Sequence, residues 1–244
     1  MTTGPLRGLF VTGTDTGVGK TTISAALLRY ARRRGRTPIP FKPVETGCQG
    51  PPADATLLWN AARPPTSTSE TCLYALRLPA APALAARAEN VRVDLDLVVE
   101  RAHGLAARGD FLLVEGAGGL LVPYVDGLTT VELARRLGLP LLVVARTALG
   151  TLNHTALTLR EAERGGLPVA GVVFNRTAER VEPHESGNAE LIEDLTGCRP
   201  WGPFPYLPAS ARTDADLLAD ALAGAVDHAV LERLLTGQAA AVAR

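Results

Sequence analysis

The sequence predicts an α/β fold in which a doubly wound, mostly parallel sheet is flanked by helices on both sides. Three observations lead there. Short apolar runs alternate with helical patterns along most of the chain. Two of these runs, residues 111–115 and 141–145, are apolar almost without interruption, as strands covered on both faces have to be. The first run opens into a glycine-rich turn and then a helix, the strand–turn–helix order from which parallel sheets are wound.

Taken in order, strands are expected near residues 8–13, 37–42, 111–115, 140–145 and 168–174, with a weaker one at 201–206. The first helix follows from Ile23, Ala26, Leu27, Tyr30 and Ala31, which repeat on one helical face. Leu95, Val98, Val99, Ala102 and Leu105 mark a second helix. Leu152, Ala156, Leu159 and Glu163, with Ala162 beside it, mark a third. A final helix over 213–235 opens on Thr213-Asp-Ala-Asp216, a capping residue and an acidic first turn, and carries Leu218, Leu222, Ala225 and Ala229. No Ser/Gly/Pro linker, internal repeat or low-complexity tract beyond an Ala-rich tail divides the chain, so residues 1–244 read as one domain.

Composition narrows the function. A hydrophobic share of 46% is ample for a packed core. The 25 basic and 25 acidic side chains cancel, leaving no global field to attract nucleic acid or an anionic membrane. The local basic run Arg32, Arg33, Arg34 and Arg36 falls at the end of the first helix, where cations suit the dipole, and reads as a solvated helix end. Cys48, Cys72 and Cys198 lie far apart with no Cys-x-x-Cys, which points to neither zinc nor a disulfide framework and fits a reduced compartment. The N-terminus lacks the basic-then-apolar layout of a secretory signal, and the longest apolar run, 137–145, is far too short to span a bilayer. A soluble, cytoplasmic protein is expected.

Ligands of such sheets sit beyond the carboxyl ends of the strands, and four of those ends carry chemistry. The first is Gly13-Thr-Asp-Thr-Gly-Val-Gly-Lys-Thr21, a phosphate-binding loop that makes the fold P-loop NTPase-like. Its glycines let the backbone turn and point N–H groups inward, with the positive end of the helix dipole behind them. Lys20 then reaches the β/γ-phosphates and the Thr21 hydroxyl a magnesium ion. Gly13 stands one residue before the usual position of the first glycine, which here is Thr14. The second end is Lys42-Pro-Val-Glu-Thr-Gly47, where a lysine closing a buried strand before a stiffening proline puts an ammonium inside. Thr46 in the same stretch either orients a ligand or caps a turn.

The third end is Glu115-Gly-Ala-Gly-Gly119, an acid closing an apolar strand, where the carboxylate that assists magnesium is expected. Its small residues leave room for a ligand to approach the backbone. Asp54 opens a further helical stretch and on spacing alone reads as a cap or dipole partner. The fourth end is Gly150-Thr-Leu-Asn-His154, a helix start whose free N–H groups suit a carboxylate or a phosphate. His103, His154, His184 and His228 lack the surroundings of a catalytic base, and no Ser-His-Asp or Cys-His set stands in a suitable context.

On these motifs, together with Asp54 and Asn175, the chain resembles the dethiobiotin synthetases, ATP-dependent enzymes of biotin synthesis, from about residue 8 to about residue 210. The early glycine is how that family writes its loop. The resemblance implies that 7,8-diaminononanoate (7,8-diaminopelargonate) is joined to CO2 with ATP as co-substrate and Mg2+ as cofactor, closing a cyclic urea. One amine captures CO2 as a carbamate, a carbamate oxygen attacks the γ-phosphorus, and the second amine displaces phosphate from the mixed anhydride. Thr21, Asp54 and Glu115 would hold Mg2+, which overturns the capping reading of Asp54. Lys20 and Lys42 would neutralise carbamate and γ-phosphate oxygens, with Thr16 supporting the phosphates and Thr46 the carbamate.

The resemblance also implies that Gly17, Val18, Gly19 and Thr22 complete the phosphate loop, and Gly116, Ala117 and Gly118 the other wall of the nucleotide site. Asn175 would read the adenine edge, with Pro205, Tyr206 and Leu207 lining the base. Gly150, Thr151, Leu152 and Asn153 would bind the substrate's carboxylate tail across a homodimer interface. Three positions depart from common forms: Gly17 where some members carry an acid, Arg176 where an Asp often follows Asn175, and Ala148 where some have a lysine.

A ParA/MinD-like switch ATPase is the alternative of another class, but Asp15 stands where such loops carry their signature lysine. A metallochaperone GTPase is disfavoured because Asn175-Arg-Thr-Ala178 lacks the acid of a guanine reader. A cobyrinate-type amidotransferase needs a glutaminase domain for which 244 residues leave no room.

Overall fold

The computed structural model describes residues 4–125 and 127–237, so the first three residues and the Ala-rich tail of the one-domain reading lie outside the described residues. The first half of the chain contributes β1 (Gly8–Gly13), α1 (Lys20–Arg33), β2 (Pro38–Thr46), α2 (Ala53–Ala62), α3 (Thr68–Thr71), β3 (Cys72–Leu76), α4 (Pro82–Ala88), α5 (Leu95–Ala106) and β4 (Phe111–Glu115). The second half contributes β5 (Pro123–Val125), β6 (Leu128–Thr129), α6 (Thr130–Leu137), β7 (Leu141–Arg146), α7 (Thr151–Arg164), β8 (Val169–Asn175), α8 (Asn188–Thr196), β9 (Trp201–Phe204), α9 (Ala215–Ala225) and α10 (His228–Leu235). Seven strands make one parallel sheet in the order β3-β2-β4-β1-β7-β8-β9, and β5 and β6 pair antiparallel beside it.

Side-chain alternation along the strands divides the core between the two faces of the sheet. Leu9 and Val11 of β1 join Leu113, Leu142 and Val144 in a cluster with α1, α2, α9 and α10. Phe10 joins Leu112, Val114 and Val143 in the opposite cluster with α4 to α8. Burying each such side chain contributes about 1.5–3 kcal/mol, which is why the central strands contain so few polar residues.

The strands expected around residues 8–13, 111–115, 140–145 and 168–174 form within a residue or so of those limits. Four expectations need correction. β2 runs on to Thr46, because its first half pairs with β4 (Pro38↔Phe111 to Phe41↔Val114) and its second half with β3 (Lys42↔Cys72 to Thr46↔Leu76). Lys42 therefore marks where β2 parts from β4 and does not close the strand. β3 itself, an apolar but half-exposed run at the sheet edge, was not among the expected strands.

The helix expected over 213–235 is two helices. Val226 is extended (φ −127°, ψ 133°), and Asp227 begins a new helix by accepting a hydrogen bond from the Ala229 N–H at 2.8 Å. At the first of them Asp214, not Thr213, is the cap, accepting from the Asp216 and Leu217 N–H groups at 3.0 and 3.1 Å. Finally, the basic run is not simply solvated. Arg33 pairs with Asp216 and Asp220 of α9, and Arg34 with Glu232 of α10, at 2.5–2.9 Å.

Candidate active site

Sheet order assembles the site. β4 lies between β2 and β1, with Phe41 beside Val114 and Val11 beside Glu115, so the chemistry at the ends of three strands converges on one spot. After β1 the chain turns through Gly17 (φ 75°) and Gly19 (φ 96°) into α1, whose free N–H groups open on a cavity of about 710 Å³. Gly19 is required there for two reasons: its φ is left-handed, and a Cβ would lie 2.1 Å from Asn175 Nδ2.

Thr16, Gly17, Gly19, Lys20, Thr21 and Thr22 line one side of this cavity. Lys42, Thr46, Asp54, Ala117 and Gly118 line the other. Lys42, 4% exposed, carries its Nζ 2.5 Å from Glu115 Oε1 and 3.0 Å from Asp54 Oδ2. Burial disfavours its charge, yet Glu115 and then Asp54 more than offset that and hold its pKa well above the ordinary lysine value. Thr21 donates its hydroxyl proton to Glu115 Oε1 at 2.9 Å, while Glu115 Oε2 is buried with no partner among the described residues. Lys20 donates to the Asp15 carbonyl at 3.2 Å; burial, with Lys42 nearby, lowers its pKa despite the surrounding carboxylates.

The remaining expected residues fall into three groups. Val18 is buried and its carbonyl accepts the Asn175 carboxamide at 2.8 Å, tying β8 to the loop. Gly116 lies just beyond β4, its N–H donating to the Val11 carbonyl at 2.9 Å, and does not line the cavity. Asn175, Pro205 and Leu207 line a small adjoining pocket of about 100 Å³ that shares Gly17, Gly19 and Thr22 with the large one. Tyr206 is not in its wall; its ring instead lies 5.6 Å from the Arg212 guanidinium carbon. Gly150 (φ 92°), Thr151, Leu152 and Asn153 do start α7 as expected, but neither pocket includes them.

Two further charged residues stand in the cavity wall, Glu45 and Arg212. Glu45 receives the Asp54 and Ala55 N–H groups at 3.0 and 2.9 Å. Arg212 lines both pockets, oriented by a 2.8 Å bond from its Nε to the Leu207 carbonyl. Glu45 sits inside the quoted Lys42–Gly47 stretch, whereas Arg212 lies in an irregular segment without any pattern. Among the described residues, no three His, Cys, Asp or Glu side chains gather as a metal site; the Lys42 ammonium is flanked by the Asp54 and Glu115 carboxylates, with the Thr21 hydroxyl on Glu115.

A parallel sheet with a glycine turn and Gly-Lys-Thr at its centre defines a P-loop ATPase-type protein. A family model described as an AAA domain matches residues 7–214. The fold is shared with a chain of the MinC:MinD cell division complex of Aquifex aeolicus (TM-score 0.54, 15% identity, 97% of this chain and 98% of that one). It is shared also with a ParA family ATPase of Chlorobium tepidum TLS (TM-score 0.52, 15% identity, 94% and 98%). At such identities the likeness concerns the fold alone.

Sequence relatives are more specific. The chain is 50% identical over 208 residues to an ATP-dependent dethiobiotin synthetase of Anaeromyxobacter dehalogenans, covering 85% of this chain and 93% of the relative. It is 36% identical over 231 residues to one of Bacillus cereus, covering 94% and 93%. The chain belongs to the ATP-dependent dethiobiotin synthetase family.

Proposed function

We propose that the chain converts 7,8-diaminononanoate, CO2 and ATP into dethiobiotin, ADP and phosphate, and that the cavity at the ends of β1, β2 and β4 is where it does so. One observation carries the reading: a buried lysine, Lys42, stands between Asp54 and Glu115 beside the phosphate loop, with no Ser, Cys or His among the described residues of the cavity wall. A carbamate and a triphosphate repel each other, so their reaction is governed by positioning and charge. Lys20 and Lys42 supply two ammonium groups at that junction, and Thr16 and Thr46 supply hydroxyls on either side. Bringing the carbamate oxygen against the γ-phosphorus requires no acid–base residue, since the nucleophile is already an anion.

Thr21, Asp54 and Glu115 fit a magnesium ion. They offer hard oxygen donors only, and Glu115 Oε2 is a buried acceptor still lacking a partner. Bound there, the ion would neutralise triphosphate charge. Asn175, tied to Val18 through its Nδ2, offers Oδ1 to an exocyclic amine of the base, with Pro205 and Leu207 against the ring and Tyr206 supporting Arg212. Gly17, Val18, Gly19 and Thr22 shape the phosphate loop, and Gly116, Ala117 and Gly118 the facing turn.

The α7 start at Gly150–Asn153 lies outside both pockets and would bind the substrate's carboxylate on the neighbouring protomer of a homodimer. We take the chain as one domain acting in the cytoplasm, and among the described residues no helix is long and apolar enough to cross a membrane. The test is phosphate release by the purified protein with ATP, Mg2+ and bicarbonate, with and without the diamine. Release that depends on the diamine supports the reading; equal release without it contradicts the reading and favours a switch ATPase.

A further inference from the structure

The mechanism leaves one buried carboxylate in the cavity wall unused. Glu45 is 7% exposed, and both of its oxygens are engaged: Oε1 accepts from the Asp54 N–H at 3.0 Å and Oε2 from the Ala55 N–H at 2.9 Å. These N–H groups belong to the first turn of α2, where a helix has donors without intrahelical acceptors. The residue before that turn is Pro52, which makes no side-chain cap. A carboxylate from β2 therefore caps α2 from outside the helix, and does so at its positive end.

The consequence for the site lies in which residue is gripped. Asp54 is held twice by the same strand: its backbone by Glu45, and its side chain by Lys42 at 3.0 Å. Between strand and helix the chain runs through Gly47-Cys-Gln-Gly-Pro-Pro52, an irregular stretch held to the sheet at Cys48, whose N–H donates to the Leu76 carbonyl at 2.9 Å. The side chain of Asp54 is 42% exposed, so packing does little to fix it. We propose that Glu45 is a positioning residue, which fixes the Asp54 carboxylate beside Lys42 and Glu115 by clamping the N-terminus of α2 to β2.

The proposal rests on the active-site reading above, and its test separates the two. Turnover of the full-length protein is measured for wild type, Glu45→Gln, Asp54→Asn and the double variant, together with melting temperature and the Mg2+ dependence of ADP binding by calorimetry. Glu45→Gln keeps the size of the side chain but turns one acceptor into a donor facing a backbone N–H. It is expected to lower kcat and the Mg2+-dependent gain in ADP affinity by about 10- to 100-fold, the usual cost of disorienting a ligand from its supporting shell. ADP affinity without Mg2+ stays unchanged, and the double variant is no worse than Asp54→Asn alone, because both losses run through one carboxylate.

A lower melting temperature with unchanged kcat and unchanged Mg2+ dependence reduces Glu45 to an ordinary cap and overturns the proposal, as do losses that simply add. Should Glu45→Gln not fold, Glu45→Asp, which keeps the charge and shortens the reach, enters the same cycle. If no diamine-dependent turnover exists at all, the function reading has failed, and the cycle is then read on Mg2+-dependent ADP binding alone. Wild-type behaviour of Asp54→Asn in both assays removes Asp54 from the site and the proposal with it.

Discussion

A lysine ammonium almost fully removed from water is costly unless anions surround it, and Lys42 has two within 3.0 Å. That pairing keeps the charge in place. Lys42→Gln is expected to preserve the fold and ATP affinity while lowering kcat by about 100- to 1,000-fold, about 3–4 kcal/mol of barrier; wild-type turnover would remove Lys42 from the mechanism. Gly19→Ala tests the loop by a different route. Its Cβ meets Asn175 Nδ2 at 2.1 Å and its φ of 96° costs an L residue about 1–3 kcal/mol, so ADP affinity and melting temperature should both fall, and an unchanged calorimetric titration would contradict the account. Lys20, Thr21 and Glu115 were legible as candidate site residues because each stands at a strand's exit or beside a glycine turn, and Lys42 because a lysine in an apolar strand before a proline is unusual, although β2 runs on past it to Thr46. Asp54 was legible only through family likeness, since a helix-start acid has an ordinary explanation. Glu45 and Arg212 were not legible, because their roles depend on α2 and on the two adjoining pockets, neither of which has a local signature.

Among the elements, helix ends are where sequence and stability connect most directly. Thr129 caps α6, and Glu132 returns the bond: Oε2 accepts the Thr129 N–H at 2.6 Å and its hydroxyl at 2.8 Å. Burial pushes the Glu132 carboxyl up, but those bonds more than offset it, and its pKa lies below the ordinary 4.5. A depressed folded value means stability that is present above the unfolded pKa and lost as pH falls through the folded one. Glu132→Gln should therefore be less stable than wild type in urea at neutral pH, with the deficit shrinking below about pH 4; a deficit that does not vary with pH would contradict this. Thr129→Ala should cost about 0.5–2 kcal/mol. The elements hardest to read were β3, half-exposed at an edge, and the 213–235 segment, whose apolar spacing continues through Val226 although Asp227 restarts the helix.

At the scale of the whole molecule, the alternation of strand and helix was enough to give the doubly wound sheet, because continuous apolar strands have few other solutions. The strand order was not readable, since it depends on which crossover packs where. The closing layer of α9 and α10 covers α1 through Leu218, Leu222, Leu231 and Leu234 and is pinned by Arg33 and Arg34 to Asp216, Asp220 and Glu232. Leu222→Ala, at a side chain 2% exposed, should cost about 2–5 kcal/mol and lower the melting temperature while leaving ADP affinity intact. A large loss of affinity in that variant would show that this layer reaches the nucleotide.

In the proposed reaction an anionic carbamate oxygen, steered by Lys20 and Lys42, is the group that meets the γ-phosphorus. Heavy-oxygen-labelled bicarbonate tests it directly. In a brief reaction with the diamine and ATP, the label is expected in the released phosphate as well as in the urea. Phosphate carrying no label, or taking its oxygen from water, would contradict it.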